Sequence, residues 1–377
     1  MALSWLPLLM PFVYIQARTR AQTLAVAFYY LAATWTVVPG AHTFFGTNAP
    51  RIMAYGLWFL LALLGTLPWT LFFNRRAPEL SALGALVVLA SPPLSLVTVG
   101  YPLIAAGRWF PATAWVGLLA PCFLIAARRW FSLPYTLGLL AVASLVAHLF
   151  AHEPARDPAI VPVNTSFGAP VTDLANAIDG GSTEQLAALS SRLYEQQKFI
   201  EKVSLANPNS IVFFPESTIL AYSPFIDREW KPFLDRLAAQ RTTIVFGTTA
   251  PLPYTRDAYR NLLAVRGWPA EEHFAYVQRV PVPISMWKIG DSESGFPLLL
   301  RNSGVFKVRE EHAAVLMCYE QLLAWPALQS LAQQPDYLLA PRNVYWARGT
   351  SIPAIQHEAT QSWADLWGIP LYEAENR

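Results

Sequence analysis

Cysteine is almost missing from this sequence: 377 residues contain two, Cys122 and Cys318. Two cysteines make no disulfide framework, and these do not stand in a Cys-x-x-Cys pair. The six histidines are scattered without metal-ligand spacing, so no metal site is expected. Glycine-rich phosphate loops of the Walker or dinucleotide type are absent, and with them any expectation of a nucleotide cofactor. No repeat of solenoid length appears. There is no long basic run, and 27 Lys and Arg face 25 Asp and Glu, which argues against nucleic acid as a partner. Charge of either sign is scarce. At 14% charged and 54% hydrophobic, the chain is too apolar for an ordinary soluble protein.

The scarcity is uneven. Residues 1–151 hold eight arginines and one glutamate, Glu79, with no lysine or aspartate; the other 43 charged residues lie in 152–377. A membrane half therefore precedes a soluble half. A spanning helix needs about 20 mostly apolar residues. Such stretches fall at 22–38, 52–73, 80–99, 109–127 and 131–150. Pro39-Gly40 is expected to end the first, and Pro92-Pro93 to kink the third. Residues 3–15 are apolar but broken by Pro7 and Pro11, which allows a half-helix, a tilted span or an interfacial segment. Residues 1–151 are thus predicted as an α-helical transmembrane bundle of five to six spans.

Paired arginines (Arg18/Arg20, Arg75/Arg76, Arg128/Arg129) alternate with single ones (Arg51, Arg108) from loop to loop. The positive-inside rule makes the paired loops cytoplasmic and puts everything after His152 on the outer side. In a bacterium this describes a multi-pass inner-membrane protein with a periplasmic C-terminal domain. The span centres lack the buried acids or lysines of an ion path, which disfavours a transporter.

Residues 152–159 read as a polar linker, and 160–377 as an α/β domain in which strands alternate with helices. Strand-like runs are Ile160–Asn164, Ile211–Phe214, Thr243–Phe246, Leu262–Val265 with Phe274–Val277 as a hairpin, Val315–Met317 and Tyr337–Leu339. Helices are expected at 183–205, capped by Thr183 or Ser182, and at 229–240, 326–332 and 350–367. Two of the apolar strands end in reactive groups. Ile211–Phe214 runs into Pro215-Glu216-Ser217, and Ala313–Met317 delivers Cys318 into a polar turn with Tyr319 and Glu320. A thiol and a carboxylate presented at strand ends are the elements of a nucleophile with its base.

The ordered stretches IVPVNTS, IVFFPEST, YRNLLAVRG, YVQRVPVP, VLMCYE, the region of Asn343 and GIPLYEAEN resemble the carbon–nitrogen hydrolase (nitrilase) superfamily, in particular its membrane branch, the apolipoprotein N-acyltransferases. A subgroup of that branch, conjugal transfer proteins of the TraB type, has similar length and layout. The resemblance covers about residues 160–377 and implies an αββα sandwich after a polytopic half. It implies a Glu–Lys–Cys triad that works through a thioester, with Glu216 as general base and Cys318 as nucleophile. The Tyr319 backbone N–H is then an oxyanion donor. Glu320 reads either as a group that tunes the thiol or orients substrate, or as a solvated loop acid.

The family lysine has no match. Gln278 stands in its place beside Arg279, and Lys288, ten residues on, is within reach of the site through a loop. The resemblance stops at Glu375-Asn376, where the acyltransferases continue, so the domain is expected to be C-terminally short. Implied partners are a membrane lipid as acyl donor and a lipoprotein or a pilus or conjugation component as acceptor. Gln278 also leaves open a non-catalytic envelope protein that keeps the fold.

Overall fold

The apolar first half folds as helices. The computed structural model describes residues 4–45, 51–168, 183–219, 224–252, 255, 257–269, 273–288, 290 and 294–377. Ser182 and most of the loop expected before it lie outside these residues. The longer helices are α1 (Ala25–Ala33), α2 (Val37–Phe45), α3 (Arg51–Leu71), α4 (Pro78–Ala90), α5 (Trp115–Ala127) and α6 (Leu133–Phe150). Among the described residues α3 and α6 are long and apolar enough to cross a membrane. The bent pair Arg20–Ala33 and Val37–Phe44, angled by 41°, makes a third if taken as one span.

Three expectations change here. Pro39 does not end the first apolar stretch. The break lies upstream, at Thr34–Thr36, and Pro39 sits in the first turn of α2. Proline has no N–H to bond the carbonyl of Trp35, so the helix opens one turn before it, and the first turn of a new helix accepts the missing donor. The third stretch is ended rather than kinked. Ser91 is extended (φ −112°, ψ 145°) because a residue before proline is excluded from helical backbone, and α4 stops at Ala90. At 13 residues each, α4 and α5 are about 20 Å long at 1.5 Å per residue, short of a ~30 Å hydrocarbon core. Among the described residues, five full-length spans are therefore not seen.

The second half forms two sheets. In the first, β1 (Ile160–Pro162), β2 (Ile211–Phe213), β3 (Thr243–Pro251), β4 (Asp257–Gly267) and β5 (His273–Val277) follow in order, and β6 (Ser294–Gly295) pairs with β4. β1 to β3 are parallel; β3–β4 and β4–β5 are antiparallel, the latter being the expected hairpin with Leu262 opposite Val277. In the second sheet β7 (Val305–Val308), β8 (Glu311–Val315), β9 (Tyr337–Asn343) and β10 (Leu371–Asn376) take the order β10-β9-β8-β7.

Side chains alternate across a strand. Val212, Phe214, Ile244, Phe246, Leu262 and Ala264 share one face and one core with Ile200 of α7 (Thr183–Leu205) and Trp230, Phe233 and Leu237 of α8 (Pro224–Ala239). Val245 and Leu263, on the opposite face, are equally buried. Strands covered on both faces read as continuous apolar runs, which is why the Ile211–Phe214 pattern was legible.

The chain divides into two compact units. The first contains Met1–Ala155, Tyr319–Leu338 and Gly349–Leu371; the second contains Arg156–Cys318, Leu339–Arg348 and Tyr372–Arg377. The first unit thus includes α9 (Ala324–Leu331) and α10 (Ile352–Trp367) along with α1 to α6. α10 is fastened there by polar contacts. Arg108 donates to Asp365 (2.8 Å) and Glu358 (2.9 Å), and the Ser362 hydroxyl donates to the carbonyl of Ile104. α10 ends at Gly368, whose left-handed backbone (φ 65°) returns the N–H to the Ala364 and Asp365 carbonyls.

Candidate active site

The second unit gathers its buried polar groups at strand ends. Glu216 follows β2, and the chain passes through Ser217 in a left-handed conformation (φ 57°). The backbone of β3 lies hard against this turn. A Cβ added to Gly247 would meet both Glu216 Cα and the Pro215 carbonyl at 2.5 Å, so only glycine allows the approach. The Gly247 N–H donates to the Pro215 carbonyl and holds it (3.0 Å).

Glu216 is 5% exposed, and neutral donors hold both oxygens. Oε1 accepts from Asn261 Nδ2 at 2.6 Å, and Oε2 accepts from the Asn343 backbone N–H at 3.0 Å. Asn261 Nδ2 also donates to Gln278 Oε1 (3.0 Å), and Gln278 Nε2 donates to the Met317 carbonyl (3.3 Å). A carboxylate at one end and a carbonyl at the other are obligate acceptors, so both amide orientations follow from the network. One atom is left over. Asn261 Oδ1 is buried and has no donor among the described residues. Leaving a buried carbonyl unpaired costs about 1–3 kcal/mol.

Met317 immediately precedes Cys318, so the Gln278 amide ties the Glu216 cluster to the peptide that carries the thiol. Cys318 is buried, and its φ of 48° turns the chain sharply after the strand. For a non-glycine residue this conformation costs about 1–2 kcal/mol and persists where neighbouring contacts over-determine it. The Gln278 bond to the Met317 carbonyl is one such contact.

Asn343 is itself positioned. Its side-chain oxygen accepts from Asn376 Nδ2 (3.1 Å), and Asn376 Oδ1 accepts from the Thr165 hydroxyl and the Phe167 N–H. Arg342, beside it, lies between Glu373 and Glu375. The last strand therefore braces the turn that holds Glu216.

Of the residues singled out from sequence, Glu216, Gln278 and Cys318 fall in this one cluster, Cys318 through the Met317 peptide. Lys288 does not join it. Its side chain is exposed and donates to the Ser294 hydroxyl (2.9 Å), because residues 283–287 close a local turn in which Pro283 bridges Trp287. Arg279 is fully buried, donates to the Val315 carbonyl (3.1 Å) and lies over the Tyr276 ring. Tyr319 and Glu320 begin the segment that belongs to the first unit. There the Tyr319 hydroxyl donates to the Leu96 carbonyl, and burial pushes the phenol well above its ordinary pKa. Glu320 is fully buried, not a solvated loop acid. Asn261, the Asn343 N–H and Asn376 escaped the sequence reading. The signal for Asn261 was a lone amide at the head of the apolar run Leu262–Val265, where a buried polar group demands partners.

No protein-family model matches the chain. A probable conjugal transfer protein TraB of Sinorhizobium fredii strain NGR234 is 27% identical over 382 residues, covering 96% of this chain and 89% of that protein. Conjugal transfer protein TraB of Agrobacterium fabrum strain C58 is 27% identical over 395 residues, covering 98% and 86%. The chain is similar to TraB proteins along almost its whole length. Solved structures that it resembles include an amidase of the nitrilase superfamily from Nesterenkonia AN1 (13% identity, 58% of this chain and 74% of that one, TM-score 0.35). Another is a carbon–nitrogen hydrolase from Helicobacter pylori G27 (13% identity, 48% and 67%, TM-score 0.34). These two likenesses are distant and carry neither residues nor activity across.

Proposed function

We propose that this chain is a membrane-anchored, nitrilase-like protein of a bacterial conjugation system that transfers an acyl group, or hydrolyses an amide, through Cys318. The observation that carries the reading is the continuous network from Glu216 through Asn261 and Gln278 to the Met317–Cys318 peptide. In this reading Glu216 takes the Sγ proton, and the thiolate attacks the carbonyl carbon of an ester or amide. The C–O or C–N bond breaks, the leaving group regains the proton from Glu216, and a thioester remains. An amine or water then attacks the thioester, Glu216 accepts its proton, and the thiol is restored.

The arginine pattern and the apolar helices support an inner-membrane protein with its C-terminal domain in the periplasm. There a lipid acyl donor is close at hand, and a lipoprotein or conjugation component is the acceptor. A thiol-reactive lipid analogue tests the reading. Labelling of Cys318 should vanish in Cys318→Ser and fall sharply in Glu216→Gln; labelling unchanged in the second variant would refute the pairing.

A second reading is favoured by one observation. By the sequence resemblance Gln278 stands where that family has lysine, its amide donates to the Met317 carbonyl, and Lys288 is turned to Ser294. On that reading the protein is a non-catalytic envelope component. Plasmid transfer frequency in a strain carrying Cys318→Ala, with membrane expression confirmed, separates the two. Loss of transfer supports catalysis, and wild-type transfer supports the platform.

A further inference from the structure

The turn between α5 and α6 carries a charge that the first half of the chain does not answer. Arg128 and Arg129 stand together there, and residues 80–152 contain no Asp or Glu. Among the described residues no carboxylate pairs with either guanidinium. Arg128 Nη1 donates to the Phe131 carbonyl (2.6 Å), and Arg129 lies over the Trp130 ring, 5.3 Å from its centroid. Arg108, in the same unit, is instead clasped by two acids. The turn is fixed from within, since the Trp130 and Phe131 N–H groups both donate to the Ala127 carbonyl. It presents Trp130, 72% exposed, together with exposed Phe131 and Tyr135, whose rings stack at 5.2 Å. Leu139, one turn along α6 from Tyr135, and Phe123 on α5 are exposed as well, and α6 is long and apolar enough to cross a membrane. Apolar side chains on the helices, aromatic rings at their ends and two cations at the tip follow the layers of a bilayer from acyl chain to headgroup.

We infer that the α5–α6 turn binds the headgroup of an anionic phospholipid, with Arg128 and Arg129 on its phosphodiester and the aromatic rings against its glycerol and upper acyl carbons. The inference rests on the reading of this chain as an inner-membrane protein, and it adds a lipid contact separate from the acyl donor. On the same reading the paired arginines place this lipid in the cytoplasmic leaflet. Guanidinium groups suit the task because their planar N–H donors match phosphate oxygens. A zwitterionic headgroup fits worse, since its own cation is repelled by the two arginines, whereas an anionic headgroup brings no positive charge.

The test places the full chain in phosphatidylcholine nanodiscs doped with a trace of photoreactive, diazirine-bearing phosphatidylglycerol or, separately, diazirine-bearing phosphatidylcholine. The adduct on the peptide that spans the turn is read by mass spectrometry. The phosphatidylglycerol adduct should exceed the phosphatidylcholine adduct by about tenfold, and the difference should shrink as salt is raised. Replacing both arginines (Arg128→Gln with Arg129→Gln) should bring the two probes level. The charge-conserving pair, Arg128→Lys with Arg129→Lys, should keep most of the preference. Arg75→Gln with Arg76→Gln, which removes a different arginine pair, should leave it intact.

Equal adducts from the two probes on the wild-type chain overturn the inference. So does a preference that survives loss of Arg128 and Arg129, or one that falls as far when Arg75 and Arg76 are replaced. Thermal melting checks that each variant is folded, and the two probes on the wild-type chain decide the matter without any variant. The underlying reading fails separately: release of the chain from bacterial membranes by alkaline carbonate refutes membrane embedding and the lipid site with it. A chain that is retained but labels equally with both probes refutes the lipid site alone.

Discussion

Two polar clusters in this molecule solve opposite problems. In the first unit Arg108 is clasped by Glu358 and Asp365, and each of the three side chains is about a quarter exposed. In the second unit Glu216 is nearly inaccessible and is held by an amide and a backbone N–H. Full charges at matched distance make a fastening, since each ion satisfies the other. A buried carboxylate gripped by an amide and a backbone N–H is held in one orientation, as a general base must be. On the proposed function, the Arg108 cluster joins elements and the Glu216 cluster serves chemistry.

The largest expected effect breaks the second cluster at its nucleophile. On the proposed function, Cys318→Ala should abolish acyl transfer and thiol labelling at residue 318, with thermal melting to confirm that the variant is folded. Next, Glu216→Gln keeps shape but cannot take a proton, and turnover should fall about 10²–10⁴-fold, as removal of a general base does. Single-turnover kinetics with an acyl ester would show it. A loss smaller than tenfold would mean that Glu216 is merely structural.

Gly247→Ala attacks the same cluster through its backbone. The new methyl meets Glu216 Cα and the Pro215 carbonyl, neither of which swings aside as a side-chain tip does. The expected cost is about 1–3 kcal/mol in denaturant unfolding, with activity falling alongside it. Arg108→Met tests the other half of the comparison. It should cost about 1–3 kcal/mol by stranding two acids, yet leave Cys318 labelling per folded molecule unchanged. A fall in labelling at full folding would show that the two clusters are coupled.

The smallest effect is a slope. Burial raises the Asp365 pKa above the ordinary 3.8, and the Gln361 hydrogen bond and Arg108 offset it only in part. The folded protein then keeps this proton to higher pH than the unfolded chain does. Stability should decline as pH rises from about 3.8 through the raised folded value, and Asp365→Asn should flatten that stretch of the stability profile.

Much of the second half was legible because two-sided burial writes itself as apolar runs. Ile211–Phe214 and Ala313–Met317 announced strands, and the residues that end them, Glu216 and Cys318, were singled out for that reason. Gln278 was noticed from resemblance alone, and its partners came only with the fold. Lys288 shows the limit. Ten residues of chain permit a return to the site, but a local turn at Pro283–Trp287 takes the side chain to Ser294 instead. The third apolar stretch shows a related limit. Hydropathy counts apolar residues, whereas Pro92 acts on the one residue before it and ends α4 at Ala90.

By itself the sequence determined the split between an apolar, acid-poor half and a charged half, the strand–helix alternation, and which two strands carry a carboxylate and a thiol. These are local properties: composition, period and the residue that ends a run. Only the tertiary structure decided that Asn261, Asn343 and Asn376 brace Glu216, that Lys288 stays away, and that α10 is fastened to Arg108. Those are meetings between residues 33 to 257 positions apart. Register and packing settle them, and no pattern along the chain records which buried amide will face which acid.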